Sequence, residues 1–133
     1  MKVLAIESSA VTASVAIMTE DTLIAEYTIN YKKTHSQTLL PMIDEICRMT
    51  ENNAADCDII AVSNGPGSFT GLRIGAATGK GLALALDKPM VAVPTLEAMA
   101  YNFLVMTGLY VLLWMQEGHI CIVVFTVLRM ESL

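Results

Sequence analysis

The segment best suited to chemistry is the glycine-rich stretch GPGSFTGLR, from Gly65 to Arg73. It separates a strand-like segment from a helix-like one, and the backbone N–H groups of such a turn favour an anion at the helix N-terminus. The stretch lacks the Gly-Lys-Ser/Thr ending of a Walker A loop and does not match GxGxxG. Gly65, Gly67 and Ser68 are therefore candidates for an anion- or nucleotide-binding loop. The favoured alternative is that the glycines permit a tight turn and close packing.

Glu7, which ends the first strand-like segment, and Ser8, which follows it, are further candidates for cofactor binding. A carboxylate at a strand end could reach a metal–phosphate group, although a single carboxylate without a partner is more often a solvated turn residue. The two histidines, His35 and His119, are far apart and form no paired-histidine metal motif. No serine has an adjacent base, so the sequence predicts neither a catalytic residue nor a metal ligand.

Three glycines, Gly71, Gly75 and Gly79, recur every four residues in the helix-like segment that follows the loop. Each costs about 1 kcal/mol relative to alanine inside a helix, so the close approach of another element should compensate for it. That element could belong to this chain or to another chain. The spacing by itself leaves these two alternatives equal.

The elements that must position these residues follow from hydrophobic periodicity. We predict strands over 2–7, 13–19, 22–31, 58–63 and 90–93, the first three forming an antiparallel meander. Helices are predicted from Thr34 to the Asn52–Asn53 pair, over 70–86 and from Thr95 to Tyr101, with a capping box at Thr34 and a cap at Thr95. The order βββαβαβα predicts an α/β fold with a mixed sheet.

The composition excludes several classes of protein. The 133 residues are 54% hydrophobic and 16% charged, which is typical of a globular chain and not of disordered, coiled-coil or disulfide-rich chains. The net charge of −5 argues against direct binding of nucleic acid, since Lys32–Lys33 is the only adjacent basic pair. The three cysteines form no CxxC motif, and no signal peptide is recognisable. These features indicate the cytoplasm.

Four segments carry a resemblance to a known family. They are VLAIESSAVTASVAI, THSQTLLPMIDEI, NGPGSFTGLRIGAATGKGLALAL and VPTLEAMA, and together they extend over about residues 1–103. In these segments the chain resembles the TsaB (YeaZ) family, also labelled glycoprotease-like. The resemblance implies a ribonuclease-H-like, actin-like ATPase fold, of which residues 1–109 would form the N-terminal half-domain. It also implies a role in making N6-threonylcarbamoyladenosine (t6A) in tRNA.

The resemblance further implies partners. Members of the family are non-catalytic scaffolds that pair with a catalytic paralogue, TsaD, and TsaE joins as an ATPase. The resemblance implies no cofactor bound by this chain itself, although ATP or ADP could act at the level of the complex. It also implies that the chain contacts tRNA only through that complex. A homodimer is a further possibility, and no membrane contact is implied. Pairing in the family uses the first two helices, which transfers the interface to Leu39, Leu40, Ile43, Gly71, Leu72, Gly75 and Ala76.

Residues 110–133 depart from the family pattern. Of the 21 charged residues, 18 precede residue 101, and no charged residue separates Glu97 from Glu117. The codons of Trp114–Gly118 (WMQEG), read from the third base of the tryptophan codon, give Asp-Ala followed twice by Arg or Gly. That matches the Asp-Ala-Arg-Arg stretch of the family. We therefore interpret 110–133 as an out-of-frame product, with the second half-domain missing, and the rival interpretation is a transmembrane helix over roughly 98–115.

Two other functions remain open at this level. The chain could be an autonomous nucleotide-binding phosphotransferase or ATPase that uses Glu7 and the loop Gly65–Gly71. It could also be a membrane-anchored interaction module, an idea that depends entirely on the apolar segment after residue 97.

The out-of-frame interpretation makes a prediction about the coding DNA. Resequencing is expected to find one base missing near the codons for Leu109 and Tyr110, because restoring it returns Asp-Ala-Arg-Arg downstream. An intact reading frame with no such stretch would end the interpretation.

Overall fold

The computed structural model describes residues 1–31, 34–103, 108–116 and 119–127, and it describes only the backbone of residue 103 and of 108–116 and 119–127. The Lys32–Lys33 pair lies outside these ranges. A five-stranded sheet is built from β1 (Lys2–Glu7), β2 (Ala13–Thr19), β3 (Leu23–Ile29), β4 (Ile59–Ser63) and β5 (Met90–Val93). The helices are α1 (His35–Met49), α2 (Phe69–Leu86) and α3 (Thr95–Ala100), with short 3₁₀ turns at Ala54–Asp56 and Tyr101–Phe103.

The sheet has the order β3-β2-β1-β4-β5. β1 pairs antiparallel with β2, and β2 with β3, which confirms the predicted meander. β1 and β5 both run parallel to β4, so the sheet is mixed, as predicted. The carboxyl ends of β1, β4 and β5 consequently meet at one edge of the sheet, where the candidate residues lie.

One face of the sheet forms the core with α1 and α2. Alternate strand residues point to this face because side chains alternate along a strand, and α1 adds residues at helical spacing. α1 lies over β2 and β3, and α2 lies over β4 and its neighbours β1 and β5. The main buried side chains are Leu4, Ile6, Val15, Ile17, Leu39, Met42, Ile43, Ile46, Ile60 and Val62.

Two predicted helix caps are wrong. Thr34 is the N-cap residue of α1, but its side chain makes no capping hydrogen bond and its hydroxyl instead lies 3.0 Å from the Ser36 hydroxyl. α3 begins at Thr95 itself, so Pro94 occupies the cap position and cannot cap with a side chain. The capping box occurs elsewhere, at the 3₁₀ turn Ala54–Asp56, where Asp56 Oδ2 accepts the N–H of Asn53 at 3.1 Å and Asn53 Oδ1 accepts the N–H of Ala55 at 3.0 Å.

The segment after α3 forms a separate antiparallel hairpin. Its strands are β6 (Gly108–Gln116) and β7 (His119–Val127), and α3 lies close to both. Because Gly108–Gln116 is a strand, the rival prediction of one long helix over 98–115 is wrong. Among the described residues, no helix is both long enough and apolar enough to cross a bilayer. The out-of-frame interpretation of 110–133 concerns the coding DNA and stays a prediction.

Candidate functional site

The carboxyl edge of the parallel strands brings together residues that are distant in the sequence. Glu7 ends β1 and Ser8 follows it, the loop Asn64–Ser68 follows β4, and Thr95 begins α3 after β5. Two backbone bonds hold the edge: Asn64 N–H donates to Val93 O at 3.0 Å, and Thr95 N–H donates to Gly65 O at 2.8 Å. The five residues proposed for cofactor binding, Glu7, Ser8, Gly65, Gly67 and Ser68, therefore lie at one edge.

Ser8 is completely buried and connects β1 to both β4 and α2. Its N–H donates to Ser63 Oγ at 3.4 Å, and its own hydroxyl donates to the carbonyl of Gly71 at 3.0 Å. A buried hydroxyl costs free energy unless it is hydrogen-bonded, and this contact satisfies it while holding the first turn of α2 to the strand. Ser8 thus has a positioning role in this fold.

Glu7 is also engaged within the chain. Its carboxylate oxygen Oε1 accepts the N–H of Ser9 at 2.6 Å, and its side chain is half-buried. The bond fixes the turn after β1. Contact of Glu7 with a metal–phosphate group stays a prediction. In the part of the chain with described side chains, no three His, Cys, Asp or Glu residues converge as metal ligands.

The glycine loop packs closely against the turn after β1. Ser68 N–H donates to Ser9 O at 2.6 Å, and Ser68 Oγ caps α2 by accepting the N–H of Gly71 at 3.2 Å. A Cβ added at Gly67 would lie 2.5 Å from Ser9 Cβ, while Gly65 has a φ of +104°, which favours glycine. Turn geometry and close packing, the favoured alternative, account for both glycines, and nucleotide binding by the loop stays a prediction.

Sequence analysis missed three residues of this edge. His35 Nε2 lies 2.9 Å from the carbonyl of Ala10, so Nε2 carries the proton in this contact because a carbonyl only accepts. Ser63 accepts the N–H of Ser8, and Thr95 is buried with a hydroxyl that has no partner among the described residues. His35 and Ser63 are distant in the sequence from the residues that they contact, so the sequence gives no sign of these contacts. They arise from the order of the strands in the sheet, which is a property of the tertiary structure.

The glycine stripe of α2 faces this chain's own sheet. A Cβ at Gly71 would overlap the carbonyl of Ser8, one at Gly75 would overlap the Ser8 hydroxyl, and one at Gly79 would overlap a methyl group of Val62. Assignment of Gly71 and Gly75 to a contact with another subunit is therefore corrected: both are buried against β1 and β4. The physical reason is that α2 approaches the sheet too closely to leave room for side chains.

The other proposed interface residues divide in the same way. Leu39 and Ile43 belong to the core, with 1% and 4% of their surface exposed. Their assignment to a contact with another subunit is therefore corrected as well. Leu40 is 53% exposed, whereas Leu72 and Ala76 are half-buried. Of the seven assigned residues, only Leu40 is clearly on the outside.

A second stripe on α2, which the sequence analysis did not single out, points outward. It consists of Ala77, Gly81 and Leu84, and Leu84 is 87% exposed. Nothing lies within 4 Å of a Cβ built on Gly81, so no contact in the described chain compensates for this helical glycine. Together with Leu40 on α1, these residues define what we call the outer helix face. The spacing alone places residues 77, 81 and 84 on one face of a helix. That this face points outward becomes clear only when the opposite, glycine-bearing face is known to be buried.

A groove between α1 and α2 borders the outer helix face at Leu40. It is lined by Leu40, Ile43, Cys47 and Leu82, with Arg48 at its rim. Burial raises the pKa of the Cys47 thiol, which keeps it protonated at neutral pH. The Arg48 guanidinium donates to the Glu45 carboxylate at 2.6 Å, and this hydrogen bond lowers the pKa of Glu45. The groove therefore has an apolar floor and a charged rim.

Comparison with known sequences gives consistent matches. A family model described as "TsaD: tRNA N6-adenosine threonylcarbamoyltransferase" matches residues 22–131. The chain is 42% identical over 102 residues to the tRNA threonylcarbamoyladenosine biosynthesis protein TsaB of Bacillus subtilis, covering 77% of this chain and 44% of that protein. It is 38% identical over 100 residues to the Escherichia coli protein of the same name, covering 75% and 43%. The chain thus spans less than half the length of these curated relatives.

Solved structures agree with the sequence matches. YeaZ from Pseudomonas aeruginosa superposes with a TM-score of 0.77 and 25% identity, over 95% of this chain and 67% of that one. A second structure, an uncharacterised protein similar to the peptidase YeaZ from the same organism, gives 0.74 and 26%, over 98% and 69%. The mixed α/β fold is therefore shared with these proteins.

The two glycine stripes predict opposite effects of alanine on stability. Gly75→Ala should lower the free energy of unfolding by about 1–3 kcal/mol, because the new methyl group displaces the Ser8 hydroxyl. Gly81→Ala should raise it by about 1 kcal/mol, because the methyl group meets open space and alanine favours the helix. Urea unfolding followed by circular dichroism measures both. Destabilisation of equal size at the two positions would contradict the assignment of buried and outer faces.

Proposed function

The chain belongs to the TsaB (YeaZ) family, and from that membership we propose that it is a non-catalytic scaffold subunit for t6A modification of tRNA. Curated relatives are named as tRNA threonylcarbamoyladenosine biosynthesis proteins, which supports the reaction in which the subunit takes part. The proposed partner is the catalytic paralogue TsaD. Because this chain spans less than half of those relatives, the proposal applies to the half that contains α1 and α2.

The observation that carries the pairing proposal is the outer helix face. Leu40 and Leu84 expose apolar surface on neighbouring helices, and exposed apolar surface of this kind marks contact sites. Ala77 and Gly81 between them let another helix approach closely. A partner helix seated there would also compensate for Gly81, which costs about 1 kcal/mol in an exposed helix.

The wider assembly is proposed on the same basis. TsaE joins the pair as an ATPase, ATP or ADP acts at the level of the complex, and tRNA contacts this chain only through its partners. The setting is the cytoplasm, and a homodimer through the same face is the alternative state when TsaD is absent. The net charge of −5 is in keeping with a subunit that leaves tRNA binding to other chains.

Substitutions on the outer helix face test the pairing. Leu84→Asp and Gly81→Arg should each weaken binding to the cognate TsaD by about tenfold or more, because a charge would be buried at the centre of the contact. Leu23→Asp, on the exposed side of β3, is the matched control and should bind as the unaltered chain does. Titration calorimetry measures the affinity, and circular dichroism shows that each variant is folded. Unchanged binding by both face variants would overturn the proposal.

Turnover of ATP separates the scaffold from the ATPase alternative. The isolated chain is expected to release no phosphate from ATP above background, because the proposed role assigns turnover to the assembled complex. The Glu7→Gln variant is the control, since the alternative assigns the carboxylate of Glu7 to catalysis. Phosphate release that disappears in Glu7→Gln would favour the autonomous ATPase over the scaffold.

A further inference from the structure

A second groove lies on the opposite flank of α2, beside β5, and the proposed pairing does not use it. Its floor is apolar and includes Val62, Leu72 and Met90, and its rim carries the basic side chains of Arg73 and Lys80. We call it the β5 groove. The functions proposed for the outer helix face and for the carboxyl edge of the sheet do not involve Arg73 and Lys80, the two basic residues beside this apolar floor.

The charge around the β5 groove has one sign. Arg73 and Lys80 are the only charged residues between Ile59 and Leu86, although the whole chain has a net charge of −5. Neither forms an ion pair within residues 1–31 and 34–102, where the pairs found are Met1–Glu20 and Arg48–Glu45. The β5 groove is thus a positively charged strip on an acidic chain, and its complement is an acidic ligand.

Arg73 is held in place without being neutralised. Its guanidinium carbon lies 4.3 Å from the centre of the Phe69 ring, which is 65% exposed. Stacking on an aromatic face restricts the side chain while leaving the N–H groups at the edge of the guanidinium able to donate. The arrangement is suited to binding a carboxylate.

The backbone of β5 supplies a second, independent feature. Ile60 N–H donates to Pro89 O at 3.0 Å, and Asn64 N–H donates to Val93 O at 3.0 Å, so positions 89 and 93 face β4. Because backbone groups alternate along a strand, those of Met90 and Ala92 point away from β4. No strand among the described residues pairs with this edge, since β5 ends the sheet and β6–β7 form their own. Met90 and Ala92 also line the groove.

From these features we propose that β5 accepts an extended acidic segment of a partner protein as a sixth strand. The segment bonds through its backbone to Met90 and Ala92 and directs alternate acidic side chains toward Arg73 and Lys80. Those two residues are separated by about 10 Å along the helix axis. Same-face side chains two residues apart in a strand are separated by about 7 Å, a difference that the long basic side chains span.

The chemistry favours a peptide over a free nucleotide or RNA. An edge strand recognises an extended backbone, and the pockets beside it select alternate side chains. On the opposite face of β5, Val91 is 45% exposed and can contact apolar side chains of the same segment. The predicted ligand therefore alternates acidic and apolar residues.

The probe is the fluorescein-labelled peptide acetyl-Thr-Val-Glu-Val-Glu-Val-Thr-amide, titrated with the full 133-residue chain and followed by fluorescence anisotropy. The expected result is saturable binding that weakens with added salt. A peptide with glutamine in place of both glutamates should bind about tenfold more weakly, because it loses two charge-assisted hydrogen bonds. Equal binding of the two peptides, or no binding of either, would overturn the proposal.

Variants of the chain separate the two features. The double variant Arg73→Gln, Lys80→Gln should lose about tenfold in affinity for the acidic peptide, while Arg48→Gln, an exposed cation on α1, should change it less than twofold. Ala92→Pro removes an N–H that points away from β4, so the sheet should stay intact while peptide binding falls at least about tenfold. Circular dichroism checks folding. If Ala92→Pro fails to fold, the same loss should follow from N-methylation of alternate residues in the peptide.

Binding of other ligands is also informative. Displacement of the peptide by ATP, or by a short single-stranded RNA, with the same dependence on Arg73 and Lys80 would contradict a protein segment as the ligand. Inorganic phosphate should compete only through ionic strength, as chloride does.

Discussion

The close contact between α2 and the sheet is the constraint on which the rest of this structure depends. Three glycines, Gly71, Gly75 and Gly79, face Ser8 and Val62 with no space for a side chain. The hydrogen bond from Ser8 Oγ to Gly71 O holds the beginning of the helix to the end of β1. Since the glycines cost helix stability on their own, the tertiary contact must supply the compensation.

This contact also determines what the remaining faces of α2 can do. Once the glycine stripe is turned toward the sheet, Ala77, Gly81 and Leu84 are directed outward, and Arg73 and Lys80 lie along the flank next to β5. Arg73 and Lys80 alternate with Ala77 and Leu84 at spacings of three and four residues, so the basic side chains border the apolar surface on the side next to β5. The proposed pairing and the proposed peptide binding therefore use adjoining surfaces of one helix.

Much of the fold was predictable because its signals are local. The limits of β1, β2 and β5 follow directly from runs of apolar residues, and the meander follows from the short connections. The cap at Thr34 was mispredicted because capping depends on the orientation of the threonine side chain, which the residue type does not specify. The cap at Thr95 was mispredicted because the limit of the helix differs by one residue, so that Thr95 is its first residue. The resemblance to a known family identified the chain because the GPGSFTGLRIG stretch is distinctive.

The sequence by itself determined the class of fold, the family and the spacing of the glycines, because each of these is a pattern along the chain. It left undecided whether the glycine stripe served packing or pairing, since a helical repeat defines a face without stating what it meets. Only the tertiary structure decided that the stripe meets Ser8 and Val62. The physical reason is that Ser8 and Gly71 are 63 residues apart in the chain and become neighbours only when β1 pairs with β4. The outer helix face and the β5 groove are consequences of the same pairing.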